Sequence, residues 1–199
     1  MPRLPMPRPV PVLRGSLVTL RPIDPQGDAA DYYEWNLDPE MTRWVQNVAP
    51  ASVEESRQEL ERFAAMPDTT QWAVADNASG RMIGRFFILL EDRAGTLVAG
   101  EGNRMAKPYW RRGYNRDARQ LVFAYVFRTL RADAYETHCW RDNVNSRASI
   151  LAHGFRLIGD VPELDRKSGQ ICIQSQFRMT REEWQRSTPP AKGTDDEPR

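Results

Sequence analysis

Two rhythms of apolar and polar positions divide this chain. "SLVTLRPI" (residues 16–23) places apolar groups at alternate positions, the period of a half-buried strand. "DAADYYEWNLDPEMTRWV" (28–45) shifts toward helical spacing and predicts two short helices broken near Pro39, because the residue before a proline is pushed out of the helical region. In "SVEESRQELERFAAM" (52–66), Ser52 and Glu55 form a capping-box pattern, and Val53, Leu60, Phe63 and Ala64 supply one apolar face. Strand texture returns in "TQWAVAD", "RMIGRFFILLED" and "TLVAGEGNRMA", separated by the turn sequences "NASG" and "RAG", which predicts an antiparallel meander. After Gly113 the period changes again. Ala118, Leu121, Val122, Tyr125 and Val126 recur as one face of a helix, followed by strand "AYETHCW", a short helix "SRASILAHG" ended by Gly154, and a closing pair "FRLIGDV" and "QICIQSQFRM".

This order predicts an α/β (α+β) fold with a single mixed, mostly antiparallel sheet of about seven strands flanked by helices. Residues 14–185 form one domain on this reading. Prolines at 2, 5, 7, 9 and 11 predict a flexible lead-in over 1–13, and 186–199 have too few apolar groups to offset the entropy of ordering.

Charge narrows the functional classes. Lys plus Arg number 28 and Asp plus Glu 27 in 199 residues, so no global field draws the chain to nucleic acid or to an anionic membrane. Cys139 and Cys172 form no CxxC pair and there are two histidines, which argues against a zinc site and for reduced, buried cysteines in a cytoplasmic protein. No apolar run reaches the length of a membrane helix, and residues 1–15 lack the apolar region of a signal peptide.

Local chemistry concentrates in "KPYWRRGYNRDARQ" (107–120). A strand runs into Gly113 and a helix starts there, offering unpaired backbone N–H groups to a phosphate, with Arg111, Arg112 and Arg116 beside them. The competing reading is a solvated helix start. "GxxxxGK[ST]" is absent, so this is not a Walker loop. A second segment, "RDNVNSRASILAHGF" (141–155), puts Asn143 and Ser146 at the mouth of another strand-to-helix crossover.

Together these stretches resemble the GNAT acyl-CoA N-acyltransferases, and more narrowly their RimJ/RimL-like ribosomal-protein N-acetyltransferase branch, over residues 14–184. "WRRGYNRDA" (110–118) is similar to the pyrophosphate motif of that branch, "DNVNSRASILAHGF" (142–155) to its DNxxSxxxLxxxGF pattern, and residues 20–45 and 71–84 fit in order. The resemblance implies acetyl-CoA as co-substrate, no metal, an amine acceptor and a possible homodimer. It implies that the Met105–Ala106 backbone pairs with pantetheine, that the backbone around Arg111, Arg112, Gly113, Tyr114, Asn115 and Arg116 cradles the pyrophosphate, and that Asn143 bonds the pantetheine. Asn115 departs from the small residue the motif prefers, and Asp117 stands where the branch favours Glu.

Attack on a thioester needs a neutral amine and a protonated or hydrogen-bonded leaving thiolate. By resemblance Ser146 is the acid or thiolate stabiliser; by spacing it is an N-cap or first-turn serine. For the base, Asp165 aligns with a carboxylate used by RimL-type enzymes, with Glu163 its neighbour, while Glu136 and His138 share one strand face. His153 reads as a charge near a helix C-terminus. Trp35, Trp44, Tyr32 and Tyr33 read as acceptor wall or core. Two rival classes stand beside an N-acetyltransferase: a non-catalytic acyl-CoA-binding protein, and RNA binding through the arginines with Trp110 and Tyr114.

Overall fold

The computed structural model describes residues 3–187, residue 47 excepted. Its strands are β1 (Leu13–Arg14), β2 (Val18–Pro22), β3 (Thr69–Asp76), β4 (Met82–Arg93), β5 (Thr96–Met105), β6 (Ala134–Trp140), β7 (Arg156–Asp165) and β8 (Gln170–Thr180). The helices are α1 (Pro25–Asn36), α2 (Pro39–Thr42), α3 (Val53–Ala65), α4 (Tyr114–Ala124, continued as a π turn over Tyr125–Thr129), α5 (Val144–Ala152) and α6 (Arg181–Ser187). The meander and both crossovers lie where the periodicity puts them. Ser52 accepts the Glu55 N–H at 3.1 Å, and Glu55 reaches back to the Ala51 N–H at 2.8 Å, so the capping pattern does start α3.

The strands form one sheet of order β1-β2-β3-β4-β5-β6-β8-β7. Every neighbouring pair is antiparallel except β5 and β6. The eighth strand is the two-residue β1. The last hairpin does not continue outward in chain order: β8 inserts between β6 and β7, so the chain crosses past its final strand position through α5 and returns to fill it.

Each sheet face carries a core. On one, Trp72, Phe86 and Ile88 pack under Val122, Phe123 and Phe127 of α4 and its continuation; on the other, Tyr32, Trp35, Leu60 and Phe63 of α1 and α3 cover Ala73 and Met82. Val53, expected on the apolar face of α3, is 44% exposed because it stands in the first turn, ahead of the sheet.

The proline-rich segment differs from expectation. The Leu4 N–H donates to Leu90 O at 2.9 Å, Met6 is buried, and Pro11 O accepts the Trp72 indole N–H at 2.8 Å. Prolines remove donors but leave carbonyl acceptors, and the apolar residues between them still gain by burial. The tail expected from 186 falls outside the described residues from 188 onward; Arg186 and Ser187 belong to α6, a helix the sequence reading did not anticipate. Cys139 is buried, whereas Cys172 is partly exposed on the outer hairpin; both are free thiols.

Candidate functional site

β5 and β6 are paired over three positions, ending at Gly100 opposite Glu136. Beyond that point β5 stays bound to β4 as far as Met105, and β6 stays bound to β8 as far as Trp140. The sheet therefore parts in its middle. Leu97 O accepts the Asp133 N–H at 2.7 Å, which fixes the parity of β5: odd residues turn their backbone groups toward β6. Past the split, alternation gives Glu101, Asn103 and Met105 that open edge. Ala106, expected to share the pantetheine contact, instead closes the sheet, its N–H donating to Ile83 O at 2.7 Å. The Met105 carbonyl is taken by the Trp110 indole, which leaves the Met105 N–H as its edge donor.

Two helices follow the strands that part, α4 after β5 and α5 after β6. Gly113 is the N-cap of α4 with φ of +89°, a left-handed conformation that a side chain strains, and Arg111 before it has φ of +58°. The first-turn N–H groups of α4 have no intrahelical acceptor. Arg111, Arg112 and Arg116 are exposed around them. Arg111 Nη2 donates to Asn145 Oδ1 at 3.3 Å, linking the turn before α4 to the first turn of α5. Tyr114 stacks edge-on with Tyr109 at 4.9 Å. Asn115 Oδ1 is buried and unpartnered, so the departure from the small-residue motif leaves an acceptor, not a donor, directed into the packing.

Asp117 has a role that spacing did not reveal. Its carboxylate accepts the N–H groups of Leu17 at 2.7 Å and Val18 at 3.0 Å, fastening α4 to the start of β2. Deeper in, Glu101 on the open edge of β5 is fully buried and pairs with Arg119, while Tyr135 donates its hydroxyl to the same carboxylate at 2.6 Å. Desolvation and that carboxylate together hold the Tyr135 phenol well above its ordinary range. This triad spans β5, α4 and β6 at the split. A sequence signal existed, an acid inside the apolar "LVAGEGNRM" run, but its partners lie 18 and 34 positions away.

Asn143, not Ser146, caps α5: its Oδ1 accepts the Ser146 N–H at 3.1 Å. Of the N-cap and first-turn alternatives for Ser146 the structure has the first-turn serine, a partly exposed residue close enough to the Cys139 thiol to act on its titration. Burial raises the pKa of that thiol, with Ser146 acting against it.

The carboxylates proposed as bases separate. Glu136 accepts from Arg93 at 2.8 Å and Arg178 at 3.4 Å and is held in an ion-pair network. Asp165 lies at the β7–β8 turn, where the Ser168 hydroxyl at 2.6 Å and the Lys167 N–H at 3.2 Å hold its carboxyl below the usual range. His138 shares a face with Glu136 two residues past the last β5–β6 pair. The residue is exposed, yet desolvation of its imidazole by the atoms packed around it lowers its pKa despite the nearby carboxylates of Glu101 and Glu163. The β7–β8 turn reaches over this face: the Arg166 N–H donates to Gln46 Oε1 at 2.8 Å, and Gln46 donates to Leu164 O at 3.2 Å. A groove of about 370 Å³ lies between α1 and the turn after β5, with Trp35, Ala106 and Tyr109 in its wall; its carboxylates Asp31, Glu34 and Asp38 are paired with Arg81 or Lys107.

Among the described residues, no three His, Cys, Asp or Glu side chains are grouped to hold a metal ion, and no helix is long and apolar enough to cross a membrane.

The family model for the acetyltransferase (GNAT) domain matches residues 18–156. No curated protein sequence matches the chain. Among solved structures, a GCN5-related N-acetyltransferase from Brucella melitensis is similar at 26% identity and a TM-score of 0.81, covering 91% of this chain and 84% of its own. Mycobacterium smegmatis RimJ in complex with CoA-disulfide shares the fold at 20% identity and a TM-score of 0.73, covering 87% of this chain and 88% of its own. A ribosomal-protein-S5-alanine acetyltransferase from Vibrio fischeri does so at 16% and 0.72, covering 87% and 98%.

Proposed function

The chain belongs to the acetyltransferase (GNAT) domain family, and from that premise we propose that it moves an acetyl group from acetyl-CoA to a primary amine by direct attack in a ternary complex. The observation that carries this reading is the parted sheet beside the α4 N-terminus. An extended pantetheine arm adds to the open edge of β5 as a strand would, and the diphosphate meets the N–H groups, dipole and arginines after Gly113. The RimJ/RimL-like assignment and a cytoplasmic setting belong to the same proposal, supported by the motifs at 110–118 and 142–155.

In the reaction the amine nitrogen forms a bond to the thioester carbonyl carbon, the carbon–sulfur bond breaks, and CoA leaves as a thiolate that takes a proton. The Met105 N–H is the candidate donor to the oxyanion. Ser146, a partly exposed residue at the start of α5, is the candidate donor to the thiolate. His138 is the best-placed proton acceptor for the amine: neutral near pH 7, exposed, and on the face beyond the split. Glu136 is assigned to holding Arg93 and Arg178, and Asp165 to shaping the β7–β8 turn.

Calorimetric titration with acetyl-CoA, succinyl-CoA and free CoA tests the reading. One-to-one binding is expected, weakened in Gly113→Val by roughly 5–30-fold, the equivalent of ~1–2 kcal/mol of left-handed strain at the seat. Absence of CoA binding, or an unchanged affinity in Gly113→Val, overturns the assignment of the seat. Sustained CoA release that depends on added amine separates an enzyme from an acyl-CoA-binding protein.

A further inference from the structure

The face of β4 and β5 that looks toward α1 and the β7–β8 turn carries two arginines directly opposite each other, Arg85 and Arg104. Like charges in register across a strand pair are unfavourable unless something offsets them. The hydrogen-bond partners here are neutral. Arg85 Nη1 donates to Gln71 Oε1 at 2.7 Å; Arg104 Nη2 donates to Asn36 Oδ1 at 2.6 Å and to Met41 O at 2.8 Å. The Nε atoms of both are buried without a partner. Glu59 acts electrostatically on both guanidiniums and also accepts the Tyr32 hydroxyl at 3.1 Å.

Lys167 adds a third positive charge near Arg104, with Asp165 beside it in the same turn. Three cations thus face two carboxylates, a local excess of +1, in a chain whose total charge is nearly balanced. Both arginine residues keep partial exposure, although their Nε atoms are buried. Burial lowers the pKa of each, that of Arg85 to about 10, with Arg85 lying over the Phe63 ring at 3.7 Å and Arg104 over the Trp35 ring at 5.1 Å.

Apolar surface adjoins them. Phe87 and Leu89 lie across Gly102 and Gly100, and a Cβ on Gly102 would stand 2.3 Å from the Phe87 ring. Gly100 is the last β5 residue paired with β6, so this floor runs from the arginines to the split. A cationic acceptor such as a polyamine is repelled here. A carboxylate-bearing amine with an apolar side chain matches both halves of the surface.

We infer that Arg85 and Arg104 are the specificity-determining anion site for the acceptor on this face of β4 and β5, and that the amine acetylated is an apolar amino acid or a peptide presenting a carboxylate at that place. The inference rests on the acetyltransferase reading and refines its acceptor class.

The test is calorimetry on the full chain saturated with CoA, using N-acetyl-leucine, N-acetyl-leucinamide and an acetylated peptide with an acidic second residue. The acid is expected to bind at least ~10-fold more tightly than the amide, as for a hydrogen bond to a charged group, and Arg85→Gln to erase the difference while leaving CoA affinity intact. Preference for the peptide over N-acetyl-leucine assigns the carboxylate to a side chain; the reverse assigns it to a free amino acid. Equal binding of acid and amide, binding of neither, or a preference that survives Arg85→Gln overturns the inference. With acetyl-CoA and a panel of amines, turnover on spermidine but not on leucine or the acidic peptide overturns it while keeping the enzyme. Failure of acetyl-CoA itself to bind instead removes the underlying reading.

Discussion

Glu101→Gln is the most direct probe of how α4 is tied to the split sheet. The carboxylate removed is fully buried, and the Arg119 side chain it pairs with is 3% exposed. Arg119 Nε and Nη1 are already without partners, so the variant leaves a buried guanidinium with its counter-charge gone. Removing one partner of a buried ion pair costs about 3–5 kcal/mol. The Tyr135 hydroxyl keeps an acceptor in the glutamine carbonyl, which restores about 1 kcal/mol and gives a net loss of ~2–4 kcal/mol. For a domain of this size that corresponds to a fall in Tm of roughly 4–16 °C. Urea unfolding analysed at constant slope reads the loss directly. The triple variant Glu101→Leu, Arg119→Met and Tyr135→Phe, which removes both charges and the hydroxyl that would lose its acceptor, should recover to within ~1 kcal/mol of the parent. A loss below about 1 kcal/mol in Glu101→Gln, or a triple variant no more stable than the single one, refutes the argument that the pair is an obligate buried couple.

Ser146→Ala should lower kcat by at least ~10-fold with the acetyl-CoA dissociation constant changed less than twofold if the hydroxyl serves the thiolate; equal losses in both place it in packing against Cys139. His138→Gln should lower kcat/KM most above the histidine pKa and remove the lower inflection of the pH profile, which lies below the ordinary value of about 6.5; an unaltered profile excludes His138 as the base. His153 gives a stability effect of definite sign. Its Nδ1 lies 2.6 Å from Ser149 O, its Nε2 is buried without a partner, and desolvation depresses its pKa. The unfolded chain then binds the proton first, so stability is unaffected by this group above its unfolded pKa and falls as pH drops from about 6.5 through the folded value. His153→Phe should flatten that limb of the urea midpoint against pH, and an unchanged slope rejects the assignment.

What the chain disclosed in advance was local. The turns at Gly80 and Gly95, the helix start at Gly113 and the helix end at Gly154 all have positive φ, and short-range glycine chemistry made them readable. What it concealed was non-local. The insertion of β8 between β6 and β7 depends on which edges meet, and the pattern of neither strand encodes that. Glu136 was picked as a base from a strand face whose occupant, Arg93, comes from another strand 43 positions earlier. Asp117 looked like a mild motif variation and is a fastening to residues about 100 positions away. Met105 and Ala106 were chosen together, although adjacent residues of a strand aim their backbone groups in opposite directions. The roles of Ser146, Asn143 and the basic turn stay within the proposal, and the geometry narrows the chemistry open to each.

The seam between β5 and β6 also bears on what can pair with the strand edges it leaves open. A strand edge in want of partners ordinarily sits at a sheet's rim, where another chain can reach it. Here a run of unpaired backbone also faces inward, between a five-strand blade and a three-strand blade, while the outer rims are the two-residue β1 and the ten-residue β7. A slender, extended molecule can enter such a slot and a second folded sheet cannot. The slot therefore sorts visitors by cross-section before any side chain is consulted.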